Sequence, residues 1–238
     1  MGLYRDRGVV LRTHKLGEAD RIVVLVTEGR GKVRAVAKGV RRTKSRFGGR
    51  LEPLSHVALL LYEGRSLDVV TQADRLEHFR PVREDLDRLA QATTLLEAVD
   101  AVVQEGTSDP RLYQMLLGAL RTLAARDTPM VLPAFLWRLL AHEGFGPVLD
   151  RCAACGADAV LVSFDVVEGG ALCRPCRRGS PLSPEALRLL RRILGGDLVA
   201  VLAEPTSPGS AEVGHLATRV LEHHLERRLR SVRVLDRA

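Results

Sequence analysis

Hydrophobic residues follow two different patterns along the chain, and the change from one to the other falls near residue 80. Before that point they form short runs rich in β-branched side chains and separated by turn-forming residues, a pattern typical of β-strands. The predicted strands run from Val9 to about Lys15, Arg21 to Thr27, Lys32 to Lys38, Val57 to Tyr62 and Leu67 to Ala73. Five short strands with one long loop predict a small closed barrel. The OB fold is the best-known five-stranded solution, and an SH3-like barrel is the alternative.

Beyond Pro81 the apolar residues recur every three or four positions, which predicts amphipathic helices. Capping residues mark their ends: Pro110 begins one helix, and Gly195 with Gly196 closes another. The predicted helical segments are 86–106, 110–123, 134–143, 184–195 and 211–229. We therefore predict an α+β protein with a barrel domain at residues 1–80 and a helical bundle at residues 81–238.

Positive charge is concentrated in the stretch Gly29–Leu51, here called the basic segment. It contains no acidic residue and nine basic ones: Arg30, Lys32, Arg34, Lys38, Arg41, Arg42, Lys44, Arg46 and Arg50. Its first part alternates, as a strand with an apolar inner face and a cationic outer face would. Its second part, Gly39–Gly49, is too polar to bury and predicts a mobile loop at the end of the strand, here called the basic loop.

A cationic strand that runs into a cationic loop suits an extended polyanion, and nucleic acid is the first candidate. Residues 1–80 carry a net charge of +8 and the remainder −1, which favours a binding face at one end of the protein. The alternative is a solvated, solubilising surface, although such surfaces usually mix both signs. The predicted phosphate contacts are Lys32, Arg34, Lys38, Arg41, Arg42, Lys44 and Arg46.

Aromatic residues make up only 4% of the chain, so we expect electrostatics to dominate over base stacking. Phe47 and Tyr62 are the aromatics nearest the basic segment, and core packing is an equal expectation for Tyr62. A second candidate surface is the last helix, which also carries acidic residues. Its arginines are Arg219, Arg227, Arg228 and Arg230.

Four cysteines occur as two CxxC pairs, Cys152 with Cys155 and Cys173 with Cys176, separated by 17 residues. Two such pairs predict a tetrahedral zinc site, because each pair places two thiolates on one side of a tight turn. Four thiolates fill the coordination shell, so we expect one structural zinc ion in a finger at residues 150–180, with a small hairpin between the pairs. A thioredoxin-like redox pair is the alternative.

No motif predicts catalysis. The chain lacks a phosphate loop, a GxSxG elbow and an HExxH pair, and no nucleophile, base and oxyanion donor assemble. No apolar run approaches the roughly 20 residues that span a bilayer, and the N-terminal residues do not resemble a secretory leader. We therefore expect a cytoplasmic, non-enzymatic protein without a membrane or small-molecule partner.

The sequence resembles the RecO family of bacterial recombination mediators over most of its length. The N-terminal resemblance lies in Leu16-Gly17-Glu18-Ala19-Asp20-Arg21, in Ala35 to Arg42 and in Leu51-Glu52-Pro53-Leu54. A second matching patch, Trp137 to Leu140 followed by Gly144-Phe145, leads into the first cysteine pair and Gly156.

The resemblance implies an OB fold, a central helical domain and a four-cysteine zinc finger. It also implies binding to single- and double-stranded DNA on the nucleoid, annealing of complementary strands, and cooperation with RecR to load RecA onto protein-coated single strands. Some members dock the tail of the single-stranded DNA-binding protein, at a site that no motif assigns here. From the residues alone, an RNA- or ribosome-associated zinc-ribbon protein is the alternative.

Overall fold

The computed structural model describes residues 2–126, 128–229 and 231. The chain forms two compact units that divide between Ala125 and Arg126. Among these residues the first unit holds five strands, one 3₁₀ turn and three α-helices, and the second holds a small sheet and four α-helices. The predicted α+β architecture is confirmed.

The first five strands form a closed barrel. They are β1 (Leu3–Leu16), β2 (Asp20–Thr27), β3 (Gly31–Ala37), β4 (His56–Tyr62) and β5 (Asp68–Glu77). Their order around the barrel is β1-β2-β3-β5-β4, and β1 pairs with both β2 and β4 to close it. Only β3 and β5 run parallel; the other neighbouring strands are antiparallel. This topology is that of the OB fold, which confirms the prediction.

Side-chain alternation sorts the barrel residues into an inner and an outer face. Along β3, Val33, Ala35 and Ala37 are buried, while Arg34 is exposed between them. The long connection from β3 to β4 completes the core, because Phe47 and Leu51 are each only 1% exposed and pack among the inward-facing strand residues. A short 3₁₀ turn, Gly48–Leu51, lies between these two anchors. The basic loop is therefore tethered to the barrel at its C-terminal end.

Three helices complete the first unit: α1 (Arg80–Arg83), α2 (Leu86–Val102) and α3 (Pro110–Ala125). A chain of polar contacts fastens α3 to the barrel. His56 places Nε2 2.7 Å from the Tyr113 hydroxyl and Nδ1 2.9 Å from the Glu77 carboxylate. Arg121 donates to both oxygens of that carboxylate, from Nε and from Nη2. Because a carboxylate only accepts, Nδ1 carries the proton in neutral His56 and Nε2 accepts from Tyr113.

Stability should fall in mild acid because of this contact chain. Burial lowers the pKa of His56 from its ordinary value of 6.5. Just below pH 6.5, His56 is therefore protonated in the unfolded chain but still neutral in the folded chain, and this difference favours unfolding. The contribution of His56 to the free energy of unfolding is therefore complete above pH 6.5. It is lost as the pH falls from 6.5 toward the lowered pKa of the folded state. Urea unfolding at about pH 7.5 and about pH 5.5 measures the difference.

The matched control for this prediction is His56→Gln, which should unfold more easily at the higher pH yet lose less stability on acidification. Other histidines with lowered pKa values, His78 and His224, contribute equally to both proteins. An identical acid loss in the variant and the natural chain would contradict the assignment to His56.

The second unit contains α4 (Val131–His142), β6 (Leu161–Asp165), β7 (Gly170–Cys173), β8 (Ser180–Pro181), α5 (Pro184–Gly195), α6 (Leu198–Val201) and α7 (Pro208–His224). Strand β6 lies between β7 and β8, so the predicted hairpin is present. Trp137 connects three of these elements, since its ring packs edge-on against Phe164 and its Nε1 donates to the Val213 carbonyl. Within the described residues no helix is both long and apolar enough to cross a membrane.

Candidate nucleic-acid interface and metal centre

The basic loop is anchored at its N-terminal end by the turn between β1 and β2. Gly39 has a left-handed φ of +67° and donates its N–H to the Asp20 carboxylate at 2.7 Å. Arg41 donates from its backbone to the Ala19 carbonyl and from its guanidinium to the Glu18 carbonyl at 2.9 Å. Because the acceptors of the Arg41 guanidinium are neutral carbonyl groups, these contacts position a cation without neutralising it.

Five side chains of the predicted interface are exposed around this loop, and we call them the loop cations: Lys38, Arg41, Arg42, Lys44 and Arg46. Among residues 2–126, 128–229 and 231, none of them has a carboxylate oxygen within 4.0 Å. Like charges crowded without counter-ions repel one another, and a polyanion relieves that repulsion. The loop cations therefore form a positive surface on the barrel.

Lys32 and Arg34, the other two predicted contacts, are already paired within the first unit. The Lys32 ammonium lies 3.3 Å from the Asp100 carboxylate and donates to the Asp100 carbonyl at 2.6 Å, and its side chain is 15% exposed. Arg34 lies 3.7 Å from Glu105. Asp100 also accepts from Arg12 at 2.6 Å. These contacts join the barrel to α2 and its C-terminal continuation.

The two aromatic candidates differ in exposure. Phe47 is buried in the barrel core, and its ring lies 4.8 Å below the Arg46 guanidinium. It is therefore a core residue that supports Arg46 rather than a stacking platform. Tyr62 is 44% exposed at the end of β4, so it is the one of the two that solvent reaches.

The last helix offers a weaker cationic surface. Helix α7 ends at His224, earlier than predicted. Arg219 contacts the Ser180 hydroxyl, whereas Arg227 and Arg228 follow the helix and are exposed. Arg230, also predicted for this surface, lies outside the described residues.

The four cysteines come together in the second unit. Their sulfur atoms all lie within 4.8 Å of one another, and the Cys155 and Cys173 sulfurs are 3.8 Å apart. Four sulfurs at about 2.3 Å from a tetrahedral zinc ion are separated by about 3.8 Å. The cluster therefore has the size and the donor set of a metal site.

Local backbone turns produce this convergence. In the first pair, Gly156 has a φ of +73° and donates its N–H to the Cys152 carbonyl at 2.8 Å. In the second, Cys176 donates to the Cys173 carbonyl at 3.2 Å. The two turns are brought together by the hairpin, since the Cys173 N–H also points at the Cys152 sulfur, 3.4 Å away.

The environment of the thiols favours a bound cation. Hydrogen bonds from the backbone N–H groups of Cys173 and Cys155 lower the pKa of Cys152 to about 6. Hydrogen bonding with the Cys155 and Cys173 side chains raises the pKa of Cys176 to about 12. The Cys152 thiol thus ionises easily, whereas the Cys176 thiol stays protonated. A divalent cation bound between the sulfurs would allow all four thiolates to form.

The cysteine cluster is built into the surrounding sheet. Ala153 donates to the Ala171 carbonyl at 2.9 Å, and Val148 donates to the Gly169 carbonyl at 3.0 Å. Gly170 must lack a side chain, because a Cβ there would lie 2.5 Å from the Val148 carbonyl oxygen. Phe164, which pairs with Ala171 in the hairpin, is buried against Trp137. Loss of the cluster would therefore disturb the packing of α4.

An N-terminal OB-fold barrel with a cationic loop, followed by helices that carry a four-cysteine cluster, defines the architectural class of this chain. Two family models match it: "Recombination protein O N terminal" over residues 1–79 and "Recombination protein O C terminal" over residues 83–233.

Three curated relatives, each described as DNA repair protein RecO, are similar over their whole length. The relative from Frankia casuarinae is 45% identical and that from Thermobifida fusca 46% identical, each with full coverage of both chains. The relative from Nocardioides sp. is 46% identical over 99% of this chain and all of its own. The chain belongs to the RecO family of DNA repair proteins.

Proposed function

We propose that this protein is a recombination mediator that binds single- and double-stranded DNA without sequence preference, anneals complementary strands, and works with RecR to load RecA onto protein-coated single strands. The observation that carries the proposal is the positive surface of the loop cations on an OB-fold barrel, which has no carboxylate partner within the described part of the chain, in a protein of the RecO family. The binding step involves no bond making or breaking, so the protein acts as a mediator and not as an enzyme.

Electrostatics explains how such a surface would promote annealing. Two single strands repel each other through their phosphates, and a row of cations lowers that repulsion when both strands lie close to it. Arginine and lysine contacts to phosphate position a strand but carry no base information, so any complementary pair could be joined. The loop cations are the proposed contacts, while Lys32 and Arg34 would join them only after releasing Asp100 and Glu105.

The metal in the cysteine cluster is proposed to be one structural zinc ion held by Cys152, Cys155, Cys173 and Cys176. Four thiolates are the donor set that structural zinc sites use, and they leave no open position for substrate or water. When bound, zinc would supply a cross-link that fastens two turns of a short segment. RecR, RecA and the single-stranded DNA-binding protein are the proposed partners, in the cytoplasm and on the nucleoid.

Strand annealing is the direct test of the proposed function. Two complementary labelled oligonucleotides, each coated with single-stranded DNA-binding protein, should pair faster with this protein than without it. RecR should then be needed for RecA filament formation on the same coated strand. An RNA oligonucleotide of equal length, added as competitor, separates DNA binding from general nucleic-acid binding. Annealing no faster than the spontaneous reaction would contradict the proposal.

A further inference from the structure

A cleft of about 680 Å³ opens where the end of the basic loop meets the outer face of β5. The residues that line it are Ser45, Arg46, Phe47, Gly48, Gly49, Arg50, Asp74 and Arg75. Neither Arg50 nor Arg75 is among the predicted contacts. Arg50 belongs to the basic segment itself, whereas Arg75 lies on β5, far from the basic loop in sequence, and only the barrel brings it there.

The charges in this cleft are unequal. Three guanidinium groups line the cleft with one carboxylate, Asp74, which accepts a hydrogen bond from Gln72 at 2.7 Å. A second carboxylate, Glu52, lies near the rim, since a Cβ on Gly49 would be 3.8 Å from its Oε2. Arg50 is positioned by the Arg46 carbonyl at 2.8 Å, a contact that orients the guanidinium without cancelling its charge. Within the part of the chain that the structure describes, Arg75 has no carboxylate within 4.0 Å.

Positive potential continues from this cleft toward α1. The Arg83 guanidinium donates to the His78 carbonyl at 2.9 Å and to the Pro53 carbonyl at 2.7 Å, and it forms no ion pair among the described residues. Burial lowers the pKa of Arg83; the nearby Glu52 carboxylate opposes that effect, and repulsion from Arg75 adds to it. A second, half-buried cation therefore lies near Arg75, with Glu52 as the carboxylate between this region and the cleft rim.

The cleft wall is suited to a phosphate and not to a base. Phe47 is its only aromatic residue, and that ring is buried below Arg46. Gly48 leaves open space at the rim, since a Cβ there would meet no atom within 4 Å. A sugar-phosphate backbone can approach such a wall closely, whereas a flat base would find no exposed ring to stack on.

We propose that this cleft is a phosphate subsite. A DNA strand leaving the loop cations passes over β5 through Arg50 and Arg75, and does not follow the face that carries Lys32 and Arg34. The inference rests on the proposed function, because it specifies the path of the same ligand. It assigns Arg50 and Arg75 as further phosphate contacts, and Asp74 as a residue that weakens binding there.

Three variants test this path on the full-length protein, with a mixed-sequence single strand and a duplex of equal length as probes. Two additional phosphate contacts contribute about −1.4 to the slope of log K against log salt. The double variant Arg50→Gln/Arg75→Gln, which lacks them, should bind about tenfold more weakly at about 0.15 M salt. Asp74→Asn should tighten binding about twofold to fourfold. The control Arg5→Gln/Arg111→Gln removes the same charge from exposed positions outside the cleft and should change affinity less than twofold.

Replacing Arg50 also removes its hydrogen bonds to the loop backbone and could loosen the loop. Asp74→Asn changes the charge of the cleft without touching those bonds, so it tests the subsite independently. Wild-type affinity in both cleft variants, with binding lost when the loop cations are neutralised, would overturn this path and leave the proposed function standing. Wild-type affinity after neutralising the loop cations as well would overturn both. The subsite would also be overturned if the arginine variant bound more weakly but kept the salt slope of the natural protein. The same holds if Asp74→Asn bound more weakly than the natural protein.

Discussion

Neutralising the five loop cations together, by Lys38→Gln, Arg41→Gln, Arg42→Gln, Lys44→Gln and Arg46→Gln, should weaken binding to a single-stranded oligonucleotide by about 100-fold to 1,000-fold at about 0.15 M salt. Each phosphate contact releases condensed counter-ions and adds about −0.7 to the slope of log K against log salt, which at about 0.15 M salt is about 0.6 log unit of affinity. Five contacts therefore account for a loss of about 3 log units. Annealing should decline in parallel, since both strands need the same surface. Fluorescence anisotropy with a labelled oligonucleotide measures the affinity.

The fold should survive these five substitutions. The loop is held by Phe47 and Leu51 in the core and by the Gly39 N–H on Asp20, which stay unchanged. Arg41→Gln removes the guanidinium contact to the Glu18 carbonyl and keeps the backbone contact to Ala19. A second variant, Lys32→Gln/Arg34→Gln, is the matched control within the same segment. It removes partners of Asp100 and Glu105, so we expect it to lower stability more than affinity. A large loss of affinity in this control, with little in the loop variant, would contradict the assignment.

Removing two cysteines, by Cys152→Ser and Cys155→Ser, should lower the melting temperature of the second unit by at least about 10 °C and abolish stoichiometric zinc binding. A metal that holds two turns together contributes its binding free energy to folding, and the segment around it has little apolar core apart from Phe164 and its neighbours. Calorimetry measures the melting temperature, and elemental analysis measures one zinc ion per chain in the natural protein. Oligonucleotide affinity should change less than about twofold, because the loop cations belong to the other compact unit.

Arg174→Gln is the control for the cysteine variant. Arg174 lies exposed between Cys173 and Cys176, so its replacement alters the surface of the finger without removing a ligand. We expect an unchanged zinc content and melting temperature. If the cysteine variant instead kept its melting temperature while oligonucleotide affinity fell, the finger would be a binding element and the structural role would be wrong.

Much of the barrel could be predicted because the signal for a strand is local. The alternation of Val33, Ala35 and Ala37 with polar residues identifies β3 without knowledge of its neighbours. The beginning of β1 was missed for the opposite reason. Leu3 to Arg7 is largely polar and becomes a strand because β4 supplies its hydrogen-bond partners. Similarly, β8 is two residues long and ends in a proline, so pairing with β6 alone defines it.

The two candidate sites differ in how far the sequence could predict them. The cysteine cluster was predictable because each pair forms its turn within four residues, and the spacing itself implies the chemistry. The pairing of Lys32 with Asp100 could not be predicted, because the two residues are 68 positions apart in the sequence. Charge counting cannot show which cations acquire partners in the fold. Arg75 carries no local signal at all. Its place beside the basic loop depends on how β5 crosses the barrel.

The salt dependence of DNA binding tests the central claim most directly. If the five loop cations contact phosphates, a plot of log K against log salt for a single strand should have a slope on the order of −3.5, steeper where the cleft also engages. The variant without the five loop cations should show a slope near zero if the cleft does not engage DNA. If the cleft does engage DNA, the slope should be about −1.4. An equal slope in the natural protein and the loop variant would contradict the account, because the positive surface on the barrel would then not be what holds DNA.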